Sequence, residues 1–379
     1  MFHILHCADL HLDTSFASSG LPVAIGSWRR TDLRATLGRI LTLAREQQVN
    51  AVTIAGDLYE QDYALPDTAN FLTQQFAKLA PIRVFIAPGE RDPYTNDSLY
   101  ALTRWPENVM IFSQGKLSSV ELTPGIHLWG AACPPARGHG TLDNFHVSRD
   151  GINLLLLHAA NTERPGSEDK AVFSMNTAAA RAAGFDFALL GHQHNGCLWT
   201  EDTPYCVYPG SPEPLAPGEA DGTHQVVLLT IQDGVCTPEM MPISQWRYHS
   251  LRVDLTDCGS TGEAAKHVEQ SLQSIQGSND ERVVCHVTLT GLPSSALDVE
   301  ELAGQVKTKA HVRYETRLSL AYDLEQLAQE QTVRGLLVQR FQTRLENANS
   351  DQDRHNLLNA LNYALQVLDG KQVHSNEIS

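Results

Sequence analysis

Five segments of the chain share one pattern, a short apolar run that ends on Asp or His. Phe2-His3-Ile4-Leu5 leads to Asp9 and His11, and Ala51-Val52-Thr53-Ile54 leads to Gly56-Asp57. Ile82-Arg83-Val84-Phe85-Ile86 leads to Gly89-Glu90-Arg91-Asp92. Residues 152–157 lead to His158, and Phe187-Ala188-Leu189-Leu190 leads to Gly191-His192-Gln193-His194. Runs of this length between Gly-containing breaks read as buried strands. The ends of buried strands are where α/β proteins place their ligands. The pattern therefore delivers carboxylates and four imidazoles to one edge.

Between the strands the apolar spacing lengthens to that of a helix. Residues 31–48 place Leu33, Leu37, Ile40, Leu41 and Ala44 on one face, and residues 68–79 do so with Phe71, Leu72 and Phe76. The Ala-rich stretch 176–183 predicts a third helix before the Phe187 strand. Alternation of this kind implies sheets covered by helices. Further strands at 119–122, 126–130, 205–208 and 225–231 are less separated by helices, which predicts a mixed sheet or two sheets.

Met241-Pro242-Ile243 marks a boundary, so that residues 1–242 form a first domain. Residues 243–319 alternate strand, helix, strand, helix and strand, with Gly/Ser/Asn breaks at 259–262 and 277–279, as a small α+β module. Residues 320–379 carry two amphipathic helices, 324–345 and 353–368, about a polar break at 347–351. Stripes such as Leu324, Leu327, Leu336 and Leu337, or Leu357, Leu361 and Leu365, most often pack on their own domain. At the end of a chain they also suit docking on a partner's coiled coil or on a second copy.

A length of 379 residues and 42% hydrophobic content support a sizeable core. No run reaches the 18 or more apolar residues of a membrane helix. The first residues read as a strand rather than an export signal. Seven scattered Cys without a CxxC pair argue against a disulfide framework or a zinc ribbon. The expectation is a cytoplasmic protein. The net charge of -16 does not favour gripping nucleic acid through global charge. Contact with DNA would need a local basic surface, metal ions or a partner chain.

Asp9-x-His11 and His192-x-His194 each place two ligands on one side of an extended backbone. Asp57 follows Gly56, where an exposed carboxylate can bridge two ions. Oxygen and nitrogen donors without thiolate suit Mn, Fe, Zn or Mg. A lone Asp at a strand end is usually a turn or helix cap, and a lone His158 a buried structural histidine. Five such strand ends in one chain point to a dinuclear centre able to cleave a phosphodiester. Asp13 is placed to orient His11, or lies in a solvated turn. His3, His6 and His139 have no motif context and read as structural or surface residues. Trp199, Trp246 and Tyr205 suit packing more than base stacking.

Asp9-x-His11, Gly56-Asp57, Gly89-x-x-Asp92, His158 and Gly191-His192-x-His194 together resemble the signature of calcineurin-like metallophosphoesterases. Cys7-Ala8-Asp9-Leu10-His11-Leu12-Asp13, Gly56-Asp57-Leu58-Tyr59 and Tyr208-Pro209-Gly210-Ser211-Pro212 are similar to the DNA repair exonuclease branch, the SbcD-like nuclease subunits. The resemblance covers about residues 1–235. It implies a four-layer α/β/β/α sandwich, with the α+β module as a capping domain. One ion would be held by Asp9, His11, Asp57 and His194, and the second by Asp57, Glu90, His158 and His192. The implied ions are two Mn, the substrate is DNA, and the partner is an SMC-like coiled-coil ATPase. Asp57, Arg91 and Asp92 are the implied catalytic residues. The family pattern has Asn-His where this chain has Glu90-Arg91. Glu90 can still ligate a metal but adds negative charge. Arg91 can clamp a phosphate but cannot give up its proton near neutral pH. A weakened, binding-only relative and a small-molecule phosphoesterase are the alternative readings.

Overall fold

The computed structural model describes residues 1–16, 22–133, 142, 145–161, 174–175, 177–199, 205–219, 222, 224–275, 281–295, 297–318, 322, 324–347 and 351–369. They fall into two compact units, Met1–Arg247 and Tyr248–Ser379. The first unit begins β1 (Phe2–Cys7), α1 (Val23–Glu46), β2 (Ala51–Ile54), α2 (Pro66–Ala77), β3 (Arg83–Ile86), α3 (Leu99–Leu102) and β4 (Val109–Ile111). It continues with β5 (Ser118–Thr123), β6 (Ile126–Gly130), β7 (Ile152–His158), β8 (Ala160–Asn161), β9 (Ser174–Met175) and α4 (Thr177–Ala183). It ends with β10 (Phe187–Gly191), β11 (Cys197–Trp199), β12 (Tyr205–Tyr208), β13 (Gln225–Gln232) and β14 (Val235–Pro242).

These strands build two six-stranded sheets, in the orders β14-β13-β1-β2-β3-β4 and β11-β12-β10-β7-β6-β5. β1 to β4 pair in parallel, and β13 and β14 add antiparallel strands at one side. β6, β7, β10 and β12 are likewise parallel, flanked by antiparallel β5 and β11. Both sheets are therefore mixed.

Side-chain alternation sorts the core into three layers. Leu5, Val52, Ile54, Val84 and Ile86 meet Leu33, Leu37, Ile40, Leu72 and Phe76 of α1 and α2. Their strand neighbours Ile4, Ala51 and Phe85 turn the other way, onto Leu154, Leu156, Phe187 and Leu189 of the second sheet. Leu155, Leu157, Ala188 and Leu190 then face Ala180 and Ala183 of α4. Three apolar layers between helix, sheet, sheet and helix make the four-layer sandwich expected from the sequence. Because both faces of the central strands are covered, those strands are continuous apolar runs rather than alternating ones.

One helix of the first unit begins well before its predicted start. α1 begins at Val23, eight residues before the apolar stripe becomes legible. That first stretch is buried through Arg29, whose guanidinium lies 4.6 Å from the Phe16 ring centroid and 4.7 Å from that of Trp246. A charged residue at a core position hides the period. Asn176, the predicted start of the third helix, lies outside the described residues.

The second unit contains β15 (Arg247–Asp254, of which all but the first residue fall in this unit), α5 (Thr261–Gln273), β16 (Val283–Gly291), α6 (Val299–Gln305) and β17 (His311–Leu318). Its sheet has the order β15-β16-β17. Val253, Cys285, Val287 and Leu289 pack with Ala264, Val268 and Leu272 of α5 and Leu302 of α6. Ser260 caps α5, and Asp298 caps α6 by accepting from the amides of Glu300 and Glu301. The stretch read as one helix over 324–345 is two, α7 (Leu324–Ala328) and α8 (Val333–Glu346), followed by α9 (Asp351–Leu368). Thr332 stops and restarts the helix by accepting the Gly335 amide at 3.2 Å. A Cβ on Gly335 would lie 2.1 Å from the Glu330 carbonyl oxygen, so only glycine lets the turn fold back there. Leu327, Val338, Leu361 and Leu365 form the core of the three helices. No helix among the described residues is long and apolar enough to cross a membrane.

His6 is fully buried in the first unit. Its Nδ1 lies 3.0 Å from Thr53 Oγ1 and its Nε2 3.2 Å from the Leu190 carbonyl oxygen, which ties the two sheets together. Burial pushes its pKa down to about 4, against the two hydrogen bonds. The unfolded chain takes up this proton near the ordinary histidine value of about 6.5 and the folded one only near 4. Stability from this group is therefore complete above about pH 6.5 and is lost as pH falls towards 4. His6→Gln keeps a donor and an acceptor without the titration. Between pH 7 and pH 4.5 it should lose about 2–3 kcal/mol less stability than the parent in urea unfolding. Equal losses would mean that His6 does not set the acid limit.

Candidate metal centre

The loops after β1 and β2 stay paired beyond the strands. The Asp9 amide donates to the Gly56 carbonyl at 3.1 Å, that of His11 to Asp57 at 2.9 Å and that of Leu12 to Leu58 at 3.0 Å. Asp9, His11 and Asp57 all adopt left-handed backbone, with φ of 54°, 48° and 49°. His192 has φ of 101°. Asp9 and His11 thus share a side of the chain through consecutive turns, not through the extended backbone that the i, i+2 argument assumed. Left-handed non-glycine residues are costly and concentrate where surrounding structure fixes a functional geometry.

The ends of the two sheets also meet closely. Gly191 pairs with His158 across β10 and β7. A Cβ at Gly191 would stand 1.9 Å from the Ala55 carbonyl oxygen. One at Gly56 would stand 2.6 Å from Gly89 Cα and 2.8 Å from His158 Cβ. Glycine at these points brings the loops of one sheet against the loops of the other.

The result is a cluster of seven potential ligands. Asp9, His11 and His194 form one set, and Glu90, His158 and His192 another, with ligand atoms of each set within 4.8 Å of one another. Asp9, Asp57 and His158 form a third set that joins the two. Asp57 Oδ2 lies 3.6 Å from His11 Nε2 and 3.6 Å from His158 Nε2, one imidazole from each side. That equal reach is what a bridging carboxylate requires. Asp9 accepts the His192 amide on both oxygens at 3.1 Å.

The outer nitrogens of three imidazoles are already used. His11 Nδ1 is 2.6 Å from Glu60 Oε1, His194 Nδ1 is 2.7 Å from Glu219 Oε1, and His158 Nδ1 is 2.9 Å from the Ala55 carbonyl oxygen. Such partners fix the ring and leave Nε2 to face a metal. His158 Nε2 is buried without a hydrogen-bond partner. His11 Nε2 and His194 Nε2 stand 3.2 Å apart. An orphaned buried nitrogen and two converging ones fit a pair of divalent ions. The oxygen and nitrogen donors are those of Mn, Fe, Zn or Mg.

The electrostatics reflect clustered opposite charges. Burial raises the Asp9 pKa against the pull of His158 and His194. Burial acts in the same sense on Asp57, but His158, His11 and the Arg91 amide carry it below the usual carboxylate range. His11 is raised to about 9, since the Glu60 bond and the charges of Asp57 and Asp9 outweigh burial. His192 is lowered by burial and by His158.

The other expected site residues have different positions. Asp92 is buried and faces backbone: it accepts the amides of Asp57, Gly89 and Leu58 at 2.9, 2.6 and 2.8 Å and the Tyr100 hydroxyl at 2.6 Å. Burial and the Asp57 charge raise its pKa. It fixes the loop that carries Asp57, the candidate bridging residue. The Arg91 amide donates to Asp57 Oδ1 at 2.8 Å, while its side chain is exposed and makes no bond among the described residues. Asp13 does not orient His11; it pairs with Arg34 at 3.2 Å and with the Thr68 hydroxyl. Glu60 takes the orienting role, because the loop pairing carries it alongside His11. Only its place three residues after Asp57 hinted at this, and nothing in the spacing of Glu219 did. Trp246 is 1% exposed and donates to Asp32 at 2.7 Å, and Trp199 packs on the α4 side of the second sheet. His3 lies 3.1 Å from the Thr230 hydroxyl. His139 and the Tyr205 side chain lie outside the described residues.

This chain is similar to several known proteins. The chain is 24% identical over 285 residues to the uncharacterized metallophosphoesterase YhaO of Bacillus subtilis (strain 168), covering 72% of this chain and 68% of that one. Among solved structures it is similar to TT1561 of Thermus thermophilus, at 13% identity and a TM-score of 0.40 over 63% of this chain and 98% of that one. It is also similar to a dimetal phosphatase from Danio rerio, at 11% identity and a TM-score of 0.39 over 64% and 96%. The calcineurin-like phosphoesterase family matches residues 2–196, which contain all seven candidate ligands. The chain therefore belongs to that family, whose members are metal-dependent hydrolases of phosphoesters built on a dinuclear centre.

Proposed function

We propose that this protein is a metal-dependent DNA nuclease of the SbcD-like type, the nuclease subunit of a complex with an SMC-like coiled-coil ATPase in DNA repair or defence. The observation that carries phosphodiester hydrolysis is Asp57, equally close to one imidazole of each ligand set. Asp9, His11, Asp57 and His194 would hold one ion, and Asp57, Glu90, His158 and His192 the other. When bound, two divalent ions supply positive charge to an anionic phosphodiester and activate water for attack at phosphorus. The chain's own part is to orient the imidazoles through Glu60, Glu219 and Ala55, and to fix Asp57 through Asp92 and the Arg91 amide.

DNA as substrate is supported by the motifs from Cys7 to Asp13, Gly56 to Tyr59 and Tyr208 to Pro212. The α+β module and the helices beyond it favour a polymer over a small ester. The partner is supported by α8 and α9, which leave Val333, Leu336, Val367 and Leu368 exposed. Manganese and a cytoplasmic location complete the proposal.

Purified protein with Mn should cleave single- or double-stranded DNA, and EDTA should stop it. Asp57→Asn should retain the fold by circular dichroism, lose both ions by elemental analysis and show no cleavage. Hydrolysis of mononucleotides or small diesters with DNA left intact would replace the nuclease reading by a small-molecule one.

Arg91 favours a second reading, in which the chain binds DNA but cuts it poorly. Its guanidinium is exposed, and a guanidinium suits clamping a phosphate rather than donating a proton. General acid assistance is typically worth about 10²- to 10⁴-fold. Glu90→Asn combined with Arg91→His should therefore raise metal-dependent cleavage, measured as initial rates on labelled DNA. A fall would identify Arg91 as a phosphate clamp. No cleavage by either form, with metal bound in both, would support the binding-subunit reading.

Leu336→Asp with Val367→Asp places charge on exposed apolar positions of α8 and α9. These changes should abolish co-purification with a coiled-coil ATPase, or self-association, and leave metal content unchanged. Unaltered association would place the contact elsewhere.

A further inference from the structure

The two sides of the centre are supported differently. On one side, both imidazoles end on carboxylates. His11 meets Glu60 at 2.6 Å and His194 meets Glu219 at 2.7 Å. On the other side, His158 ends on a neutral carbonyl, that of Ala55, at 2.9 Å. His192 Nδ1 lies 3.7 Å from Glu90, which is itself a candidate ligand.

Both residues are held in place, Glu60 through its backbone and Glu219 through its second carboxylate oxygen. The Glu60 amide donates to the Leu12 carbonyl at 2.9 Å, so its loop is tied to the loop that carries His11. Glu219 Oε2 accepts the Leu215 amide at 2.7 Å and the Ser211 hydroxyl at 3.1 Å, which leaves Oε1 for His194. Their side chains are only 14% and 10% exposed. A partly buried carboxylate on the outer nitrogen of an imidazole makes the inner nitrogen a stronger donor and fixes its direction.

We propose that Glu60 and Glu219 are positioning residues that make the His11/His194 position the tighter of the two, so that divalent ions load there first. Two carboxylates beyond the ligands attract an ion to that side and hold both rings in the binding orientation. The second position is completed by Glu90, His158 and His192 around the shared Asp57.

The inference rests on the dinuclear reading, and one titration separates the two. Full-length protein freed of metal is titrated with Mn against a competing fluorescent chelator. Binding to the parent should resolve into a tight and a weak phase. Glu60→Gln and Glu219→Gln should each weaken the tight phase by about 10- to 100-fold. The weak phase should change less than about twofold. Glu219→Ala should cost more than Glu219→Gln, because Gln keeps an oxygen for Nδ1–H and loses only the charge.

Should Glu219→Gln fail to fold, Glu60→Gln decides, since the Glu60 carboxylate bonds only His11 among the described residues. No Mn binding by the parent would overturn the dinuclear centre itself. Two equal phases in the parent, or variants that weaken both phases alike or neither, would overturn the ordered loading while leaving that centre standing.

Discussion

The close approach of the two sheets at their carboxyl ends is the constraint on which the rest of this structure depends. No single strand end holds enough ligands for two ions. The first sheet supplies Asp9, His11, Asp57 and Glu90, and the second supplies His158, His192 and His194. They come within coordinating distance because Gly56, Gly89 and Gly191 leave no side chain where the two sets of loops meet. The apolar layer of Ile4, Phe85, Leu156 and Phe187 behind them sets the spacing of the sheets. Packing in the middle of the sandwich thus fixes distances at its edge.

That edge stores electrostatic work. Carboxylates and imidazoles that would be solvated in an open chain are held together in a site where Asp9 and His158 are almost wholly buried. Isolated buried charges are costly, and mutual pairing offsets part of the cost. The raised pKa of His11 and the lowered pKa of Asp57 are two views of that pairing. Replacing the pairing protons by metal ions is the exchange for which such a cluster is suited, since ligands must be deprotonated to bind.

A third level of organisation lies outside the ligands. Asp92 spends both its oxygens on the backbone of the loops that carry Asp57 and Gly89, and Glu60 and Glu219 each hold one ring. None of the three belongs to the candidate ligand sets, yet each holds a loop or a ring of one of them. Asp92 and Glu219, the two buried ones, are tolerated because each accepts from several donors.

The chain by itself determined the strands and the candidate ligands at their ends. Apolar runs ending on Asp or His are local signals, and both faces of a buried strand leave the same mark in sequence. The buried strands, their helical cover and the seven candidate ligands at the strand ends were legible in such runs, whereas the choice between one mixed sheet and two was made by the tertiary structure. The hidden first turns of α1 and the split between α7 and α8 escaped the pattern. In one case a charged Arg29 occupies a core position, and in the other a Thr cap interrupts an unbroken stripe. Only the tertiary structure decided which groups stand behind the ligands. Asp13 is nearer to His11 in sequence than Glu60 is, but parallel pairing of the β1 and β2 loops carries Glu60 to the ring and turns Asp13 towards Arg34. Glu219 reaches His194 across 25 residues of chain. Contacts between residues far apart in sequence are set by how sheets and loops pack, and no spacing along the chain encodes them.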